Sequence, residues 1–385
     1  MIRKAAILII ITIISFSCTR IPNPEPIDVF IAGEEAISGH NNKPYSQYRE
    51  QNVIITNSGA IVVVVQGRNK SKWSDRSGQD LWCKISRDNG ETWGDPIFVA
   101  GHGLKSICPN AAVYDSGTNT IHVLYNLFLW DYTDVPEDVK GELGDLYCKQ
   151  YMVSSEDEGN SWSQPREITK MVDTKGAVMV VGSGEGIQLK TGEHKGRLII
   201  AGGDFYQGKK VLCYYSDDHG ITWKRSEIVP WEGEMAWASE SKVAELSDGT
   251  LILNSRTFVN NGSEQRLRTR SFSNDGGISW STLENDPDLM TVSCNGSIIA
   301  IQNPEDGQKS ILLCSVPVGP GRTHGTIYVS HDNGQTWPHK KLVVEGQFAY
   351  SSLAELPDGT IGLFYETDAH MNIRLLKLNL EQILN

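Results

Sequence analysis

Ser86-Arg87-Asp88-Asn89-Gly90-Glu91-Thr92-Trp93 is the stretch that decides the fold, because its Ser-x-Asp-x-Gly-x-(Thr/Ser)-Trp spacing returns four more times. The later copies centre on Asp157, Asp218, Asp275 and Asp332 and end on Trp162, Trp223, Trp280 and Trp337. Successive aspartates stand 69, 61, 57 and 57 residues apart. One such box arises by chance; five in register mark a repeat architecture. The box has the chemistry of a turn. Asp-x-Gly combines an Asx-type side-chain bond with a residue free to take positive φ, so it joins two antiparallel strands. The tryptophan can pack over that turn, and the Ser and Thr hydroxyls can satisfy nearby backbone groups.

Working outward, the residues before the boxes read as strands: Leu81–Ile85, Val211–Tyr215 and Gly325–Val329 are rich in β-branched and aromatic side chains. A second turn signal lies between boxes, at Asn57-Ser58-Gly59, Ser247-Asp248-Gly249-Thr250 and Pro357-Asp358-Gly359-Thr360, and an apolar run follows each. A unit of roughly 60 residues with several turns is long enough for a four-stranded blade. The chain therefore predicts an all-β, six-bladed β-propeller with four-stranded antiparallel blades. Only Asp134–Gly144 suggests a short helix or loop. The box aspartates are structural in this reading, since a catalytic group is not needed five times around a ring.

Composition agrees. Hydrophobic residues make up 39% of 385, beside 37 glycines, which suits a turn-rich β protein with a core. A net charge of −12 argues against a nucleic-acid partner, which needs a basic footprint. Arg3 and Lys4 precede the apolar run Ala5–Phe16, too short to span a bilayer and suited to a signal peptide. Ser15-Phe16-Ser17-Cys18 follows in the manner of a bacterial lipobox, with Cys18 the expected lipidation site. Residues 1–18 are thus expected to be a lipoprotein signal. Residues 19–30, with Pro22, Pro24 and Pro26, read as an extended tether, and 31–385 as a single propeller domain. An exported, lipid-anchored monomer at the periplasm or cell surface is the expected form. The other six cysteines show no metal-ligand spacing, and buried free thiols are expected for most.

A propeller gathers its inner strands about an axis, where residues distant in sequence converge. Three arginines stand beside strand-like runs: Arg49 in Tyr48–Ile55, Arg256 after Leu251–Ser255, and Arg322 in Gly319–Gly325. The guanidinium is a planar, permanently charged fork for a carboxylate.

The segments Glu240–Arg256, Gly184–Leu189 with Gly196–Ile200, Cys294–Ile298, and Ala349–Leu353 with Leu356–Thr360 and Tyr365-Glu366 resemble bacterial and animal exo-α-sialidases. These are Asp-box (BNR-repeat) glycoside hydrolases, and the resemblance runs from about Tyr48 to the C-terminus. It implies the sialidase fold and retaining hydrolysis of terminal sialic acid from glycans, glycoproteins or glycolipids, with no cofactor or metal. Position by position, it implies that Arg49, Arg256 and Arg322 bind the substrate carboxylate and that Glu366 orients Arg49. It implies Tyr350 as nucleophile, Glu240 as its carboxylate partner, and Asp75 as acid/base on a mobile loop. Asp80 is the alternative to Asp75 on the same stretch. An anionic nucleophile would be repelled by the carboxylate beside the anomeric carbon, which a neutral tyrosine hydroxyl avoids.

One motif departs from the family. Its first arginine usually sits in aromatic-Arg-Ile-Pro, whereas this chain has Tyr48-Arg49-Glu50-Gln51. Strand alternation places Glu50 on the face opposite Arg49. The departure keeps open a related ulosonic acid, such as KDN or Kdo, as substrate. The boxes alone would also fit a non-catalytic binding propeller.

Overall fold

The computed structural model describes residues 24–34, 44–68, 78–103, 105–128, 148–172, 184–204, 210–232, 237–258, 265–304, 306–369 and 371–385. Cys18 and the signal segment, Asp75 and the stretch 134–144 lie outside the described residues.

Six four-stranded antiparallel sheets form the blades. After β1 (Ile27–Phe30), blade one holds β2 (Gln47–Ile55), β3 (Ile61–Arg68), β4 (Gln79–Ser86) and β5 (Ile97–Gly101). Blade two holds β6 (Ile107–Asp115), β7 (Thr120–Phe128), β8 (Cys148–Ser155) and β9 (Arg166–Glu167), followed by the one-turn helix α1 (Thr169–Val172). Blade three holds β10 (Ile187–Gln188), β11 (Leu198–Asp204), β12 (Lys210–Ser216) and β13 (Lys224–Arg225). Blade four holds β14 (Trp237–Glu245), β15 (Leu251–Phe258), β16 (Gln265–Ser273) and β17 (Glu284–Val292). Blade five holds β18 (Ser297–Gln302), β19 (Ser310–Gly319), β20 (Thr323–Ser330) and β21 (His339–Gln347). Blade six is built from β22 (Ser351–Glu355), β23 (Ile361–Thr367), β24 (Asn372–Leu378) and, as its outer strand, β1; a short helix α2 (Leu380–Leu384) ends the chain. The sequence therefore predicts the blade count and strand number correctly.

One boundary needs correction. Residues 27–30, which the proline spacing assigns to a tether, pair with β24 through Ile27↔Leu375 and Asp28↔Arg374. Val29 and Phe30 are buried there against Ile61, Val63 and Phe364. The two ends of the described chain thus share a blade and close the ring, with Val29 and Phe30 buried and Ile27 packed beside them.

The core consists of wedges between blades. Because side chains alternate across a strand, Val62 and Val64 face blade two while Ile61, Val63 and Val65 face blade six. The same division recurs at the other seams: Leu198 and Ile200 pack toward blade two, and Ile199 and Ala201 toward blade four. Strands such as β3 and β11 are thus apolar on both faces, which explains their continuous hydrophobic runs in the sequence.

The boxes sit at the outer turns, between the third and fourth strands of blades one to five. In the first, Ser86 Oγ donates to Asp88 Oδ1 at 2.8 Å and accepts from the Gly90 amide at 2.8 Å. Asp88 Oδ1 also accepts from the Thr92 amide at 2.9 Å. The same bonds recur around Asp157, Asp218, Asp275 and Asp332. The Thr92 hydroxyl and amide hold the Asp88 carboxyl down to about 2. These carboxylates are consumed by their own turns, which fits a structural role. The six cysteines beyond Cys18 are all buried, and Cys83, Cys213, Cys294 and Cys314 are free thiols.

At the axis, the inner strands are joined in a circle. Ala112 N–H donates to Asn52 Oδ1 at 2.9 Å, and Gly186 N–H to the Ala112 carbonyl at 2.7 Å. Lys242 Nζ reaches Glu185 Oε2 at 2.8 Å and Ser297 Oγ at 3.4 Å. Leu353 N–H donates to Ser297 Oγ at 2.9 Å, and Ser352 Oγ to the Gln51 carbonyl at 3.1 Å. Every blade takes part.

Gly90 and Gly359 both adopt positive φ, +86° and +80°. A Cβ on Gly90 would meet Leu375 Cδ2 at 2.6 Å, whereas one on Gly359 meets nothing within 4 Å. Gly359→Ala is expected to cost about 1 kcal/mol of backbone strain, and Gly90→Ala roughly 1–3 kcal/mol more through overpacking. Chemical denaturation of the two variants checks the order; equal losses would remove the packing role of Gly90.

Candidate active site

Tyr350 lies immediately before β22 and is buried near the axis. Four blades deliver charged side chains to it. Arg49 comes from β2 in blade one, Glu240 and Arg256 from β14 and β15 in blade four, Arg322 from the turn before β20 in blade five, and Glu366 from β23 in blade six.

The Tyr350 hydroxyl donates to Glu240 Oε1 in a short hydrogen bond. Arg256 Nη1 donates to Tyr350 Oη at 2.9 Å and to Glu240 Oε2 at 2.7 Å. Tyrosine, carboxylate and guanidinium therefore form a closed triangle. Arg256 Nη2 donates to Ser293 Oγ at 2.9 Å, a partner that nothing in the sequence pattern marks. The Arg49 and Arg322 guanidinium carbons stand 5.0 and 5.4 Å from the centroid of the Tyr350 ring. All three arginines singled out in the sequence thus converge on one tyrosine.

Glu366 is fully buried and takes Arg49 through Nε at 3.1 Å and Nη2 at 3.0 Å. The planar fork is thereby oriented as well as neutralised. With Tyr350 neutral, three guanidinium and two carboxylate groups leave the immediate site cationic, in a chain whose overall charge is −12. An anion is favoured there despite the acidic surface.

Burial pushes the Tyr350 hydroxyl well above the usual tyrosine range; adjacent Glu240 pushes the same way, and the three arginines oppose both. The phenol is accordingly protonated at neutral pH and has a carboxylate already in place to accept that proton.

Arg322 sits at φ +63°, between Gly321 at +65° and Thr323. A non-glycine residue in the left-handed region is strained, and such strain concentrates at functional sites. The Arg322 carbonyl accepts from the Phe348 amide at 2.9 Å, which ties this turn to the segment carrying Tyr350.

Asp75 lies outside the described residues. Asp80, its alternative, is buried and accepts a short hydrogen bond from the Tyr45 hydroxyl. Glu50 does point away from Arg49, but for a reason other than simple alternation. The β2–β3 register shifts between Arg49 and Asn52, and Glu50 takes φ +55° within the resulting bulge. Its carboxylate accepts from Arg68 Nη2 at 2.7 Å and from Gln66 Nε2 at 2.8 Å. The extra acid is therefore held by its own cation. Other buried polar groups near the axis escaped the sequence reading, among them the Lys242–Glu185 pair and Arg268, whose Nη1 donates to the Cys294 carbonyl at 3.3 Å. The alternation Arg266-x-Arg268-x-Arg270 was the available signal for Arg268, since period two sends all three to one strand face.

With this geometry in place, comparison with known proteins is informative. The family model described as a BNR repeat-like domain matches residues 77–363. A sialidase of Micromonospora viridifaciens is 33% identical over 381 residues, covering 93% of this chain and 55% of that protein. An anhydrosialidase of Macrobdella decora is 34% identical, covering 55% of this chain and 28% of that protein. The chain thus spans about half the length of the first relative and just over a quarter of the second. Among solved structures, the Hadza microbial sialidase Hz136 matches with a TM-score of 0.73 at 26% identity, covering 88% of this chain and 67% of that one. A repeat family matched across most of the propeller and relatives that carry one shared name point the same way: the chain belongs to the BNR repeat-like domain family, and its likeness within that family is to the sialidases.

Proposed function

We propose that the protein is a retaining exo-α-sialidase that removes terminal sialic acid from glycoconjugates, with Tyr350 as nucleophile. The observation that carries this reading is the triangle of Tyr350, Glu240 and Arg256 set between the guanidinium groups of Arg49 and Arg322.

The chemistry follows from charge. The substrate's anomeric carbon bears a carboxylate, which three converging arginines can hold by charge-assisted hydrogen bonds. A carboxylate nucleophile placed there would face a like charge, whereas the phenol does not. As Tyr350 Oη bonds to the anomeric carbon, its proton passes to Glu240, and Arg256 stabilises the charge developing on the oxygen. The bond to the aglycone breaks, and its oxygen takes a proton from a general acid, the role that family resemblance gives Asp75. Water then attacks the same carbon and surrenders its proton to the Asp75 carboxylate. Tyr350 leaves and recovers its proton from Glu240. Two displacements return the sugar with its original configuration; tyrosine nucleophiles in sialidases are an established exception to the two-carboxylate scheme.

Substrate class is tested by hydrolysis of matched glycosides of N-acetylneuraminic acid, KDN and Kdo, with product analysis. Release of free N-acetylneuraminic acid is expected. Cleavage confined to another ulosonic acid, or a 2,7-anhydro product, would overturn the substrate or the hydrolytic part of the proposal.

Tyr350→Phe is expected to lower kcat by about 100-fold or more while the protein stays folded. Full turnover in that variant ends the nucleophile assignment. Because burial and Glu240 raise the Tyr350 pKa, the tyrosinate signal that separates parent from variant is expected only above the ordinary tyrosine range. Arg256→Ala removes a guanidinium from a buried pair and leaves Glu240 without it. Inhibition by an unsaturated sialic acid analogue is expected to weaken by roughly 30-fold or more. An unchanged inhibition constant would take Arg256 out of the carboxylate site.

A further inference from the structure

The dipeptide that departs from the family pattern is built into the site. The bulge in β2 frees Glu50 and Gln51 from the regular ladder with β3. The Glu50 main-chain amide and the Gln51 side chain turn to blade six instead. Glu50 N–H donates to Glu366 Oε1 at 3.0 Å. Gln51 Nε2 donates to the Tyr350 carbonyl at 2.9 Å and to the Phe364 carbonyl at 3.2 Å. The Gln51 carbonyl in turn accepts from Ser352 Oγ. Gln51 is fully buried, and its Oε1 finds no hydrogen-bond partner among the described residues. A side chain that leaves its own acceptor unsatisfied while spanning two carbonyls is held for its donors.

Tyr350 stands just outside the β22–β23 register, which begins at Ser351↔Tyr365. Its main chain is tied to blade six by Glu366 N–H at 2.9 Å and to blade one by the Gln51 amide. Gln51 is two residues from Arg49, so one strand both carries a carboxylate-binding guanidinium and grips the backbone of the nucleophile. We propose that Gln51 is a positioning residue that sets the separation between Tyr350 and Arg49 across the seam of blades one and six. This inference rests on the reading of Tyr350 as nucleophile. An Ile-Pro pair at positions 50–51 has no side-chain donor and could not make this contact.

Gln51→Met keeps length and volume and removes both donors. Gln51→Glu turns a carboxylate toward two carbonyl oxygens. With a 4-methylumbelliferyl glycoside of N-acetylneuraminic acid, kcat of Gln51→Met is expected to fall roughly 10- to 100-fold through loss of alignment. KM should stay within about threefold, because Glu366, itself held by the Glu50 amide, still holds Arg49. Gln51→Glu is expected to be slower than Gln51→Met. A kcat per folded molecule equal to the parent's in Gln51→Met overturns the inference, whatever the change in Tm. Failure of both variants to fold overturns it too, by making Gln51 purely structural. Tyr350→Phe measured alongside separates the two readings. If it turns over normally, the nucleophile assignment falls and this inference with it. If it is inactive while Gln51→Met keeps its kcat, only the positioning role falls.

Discussion

The ion pair between Arg49 and Glu366 joins residues 317 positions apart, and the site cannot exist until that pair forms. It bridges blade one and blade six, the two blades that meet when the ring closes. Nothing local holds them together. The seam is made instead by β1 adding its edge to β24, by the apolar wedge of Val29, Phe30, Ile61 and Phe364, and by the circle of bonds around the axis. Blades one and six then place Arg49 and Tyr350, while blades four and five bring Arg256, Glu240 and Arg322 from the opposite side. Closing a ring is entropically costly because its contacts are so distant in sequence, so this topology depends on many seams forming together.

The axis is unusually polar for a protein interior. Arg68 with Glu50 and Arg49 with Glu366 are buried ion pairs, and buried Lys242 pairs with the half-buried Glu185. Such pairs rarely add much stability over well-packed apolar groups, but losing one partner is expensive. They are better understood as fixing geometry. The inner strands of a propeller cannot fill the axis with side chains of one kind, because six strands approach it at once. Paired charges with several hydrogen bonds leave few alternative arrangements and so hold the strands at defined distances.

That rigidity bears on the chemistry. A buried phenol with a raised pKa is a poor nucleophile unless a base stands in contact with it and cations stand near enough to stabilise its anion. In the proposed mechanism the closed triangle of Tyr350, Glu240 and Arg256 supplies both. In that scheme the bonds among the three groups are already made, so that little reorganisation is needed at the moment of reaction. The strained backbone at Arg322 and the bulge at Glu50 are the local costs of aiming so many groups at one point.

Much of this was legible in the amino-acid order. The five boxes set the blade size, from which chain length yields six blades, because each box is a self-contained turn whose bonds run between residues two to four apart. The three arginines were visible as charges beside apolar runs, and family resemblance named their companions. What the sequence could not show is where the side chains of Glu50 and Gln51 go. A bulge shifts the alternation on which strand reading relies, and no residue type announces it. The same limit explains the misplaced tether, since four residues become a strand only when the far end of the chain offers an edge. Local turns were thus determined by the sequence alone, through short-range bonds. The cationic pocket, the Tyr350 triangle and the seam that aligns them were decided by tertiary closure, because each depends on groups that approach only when all six blades are in place.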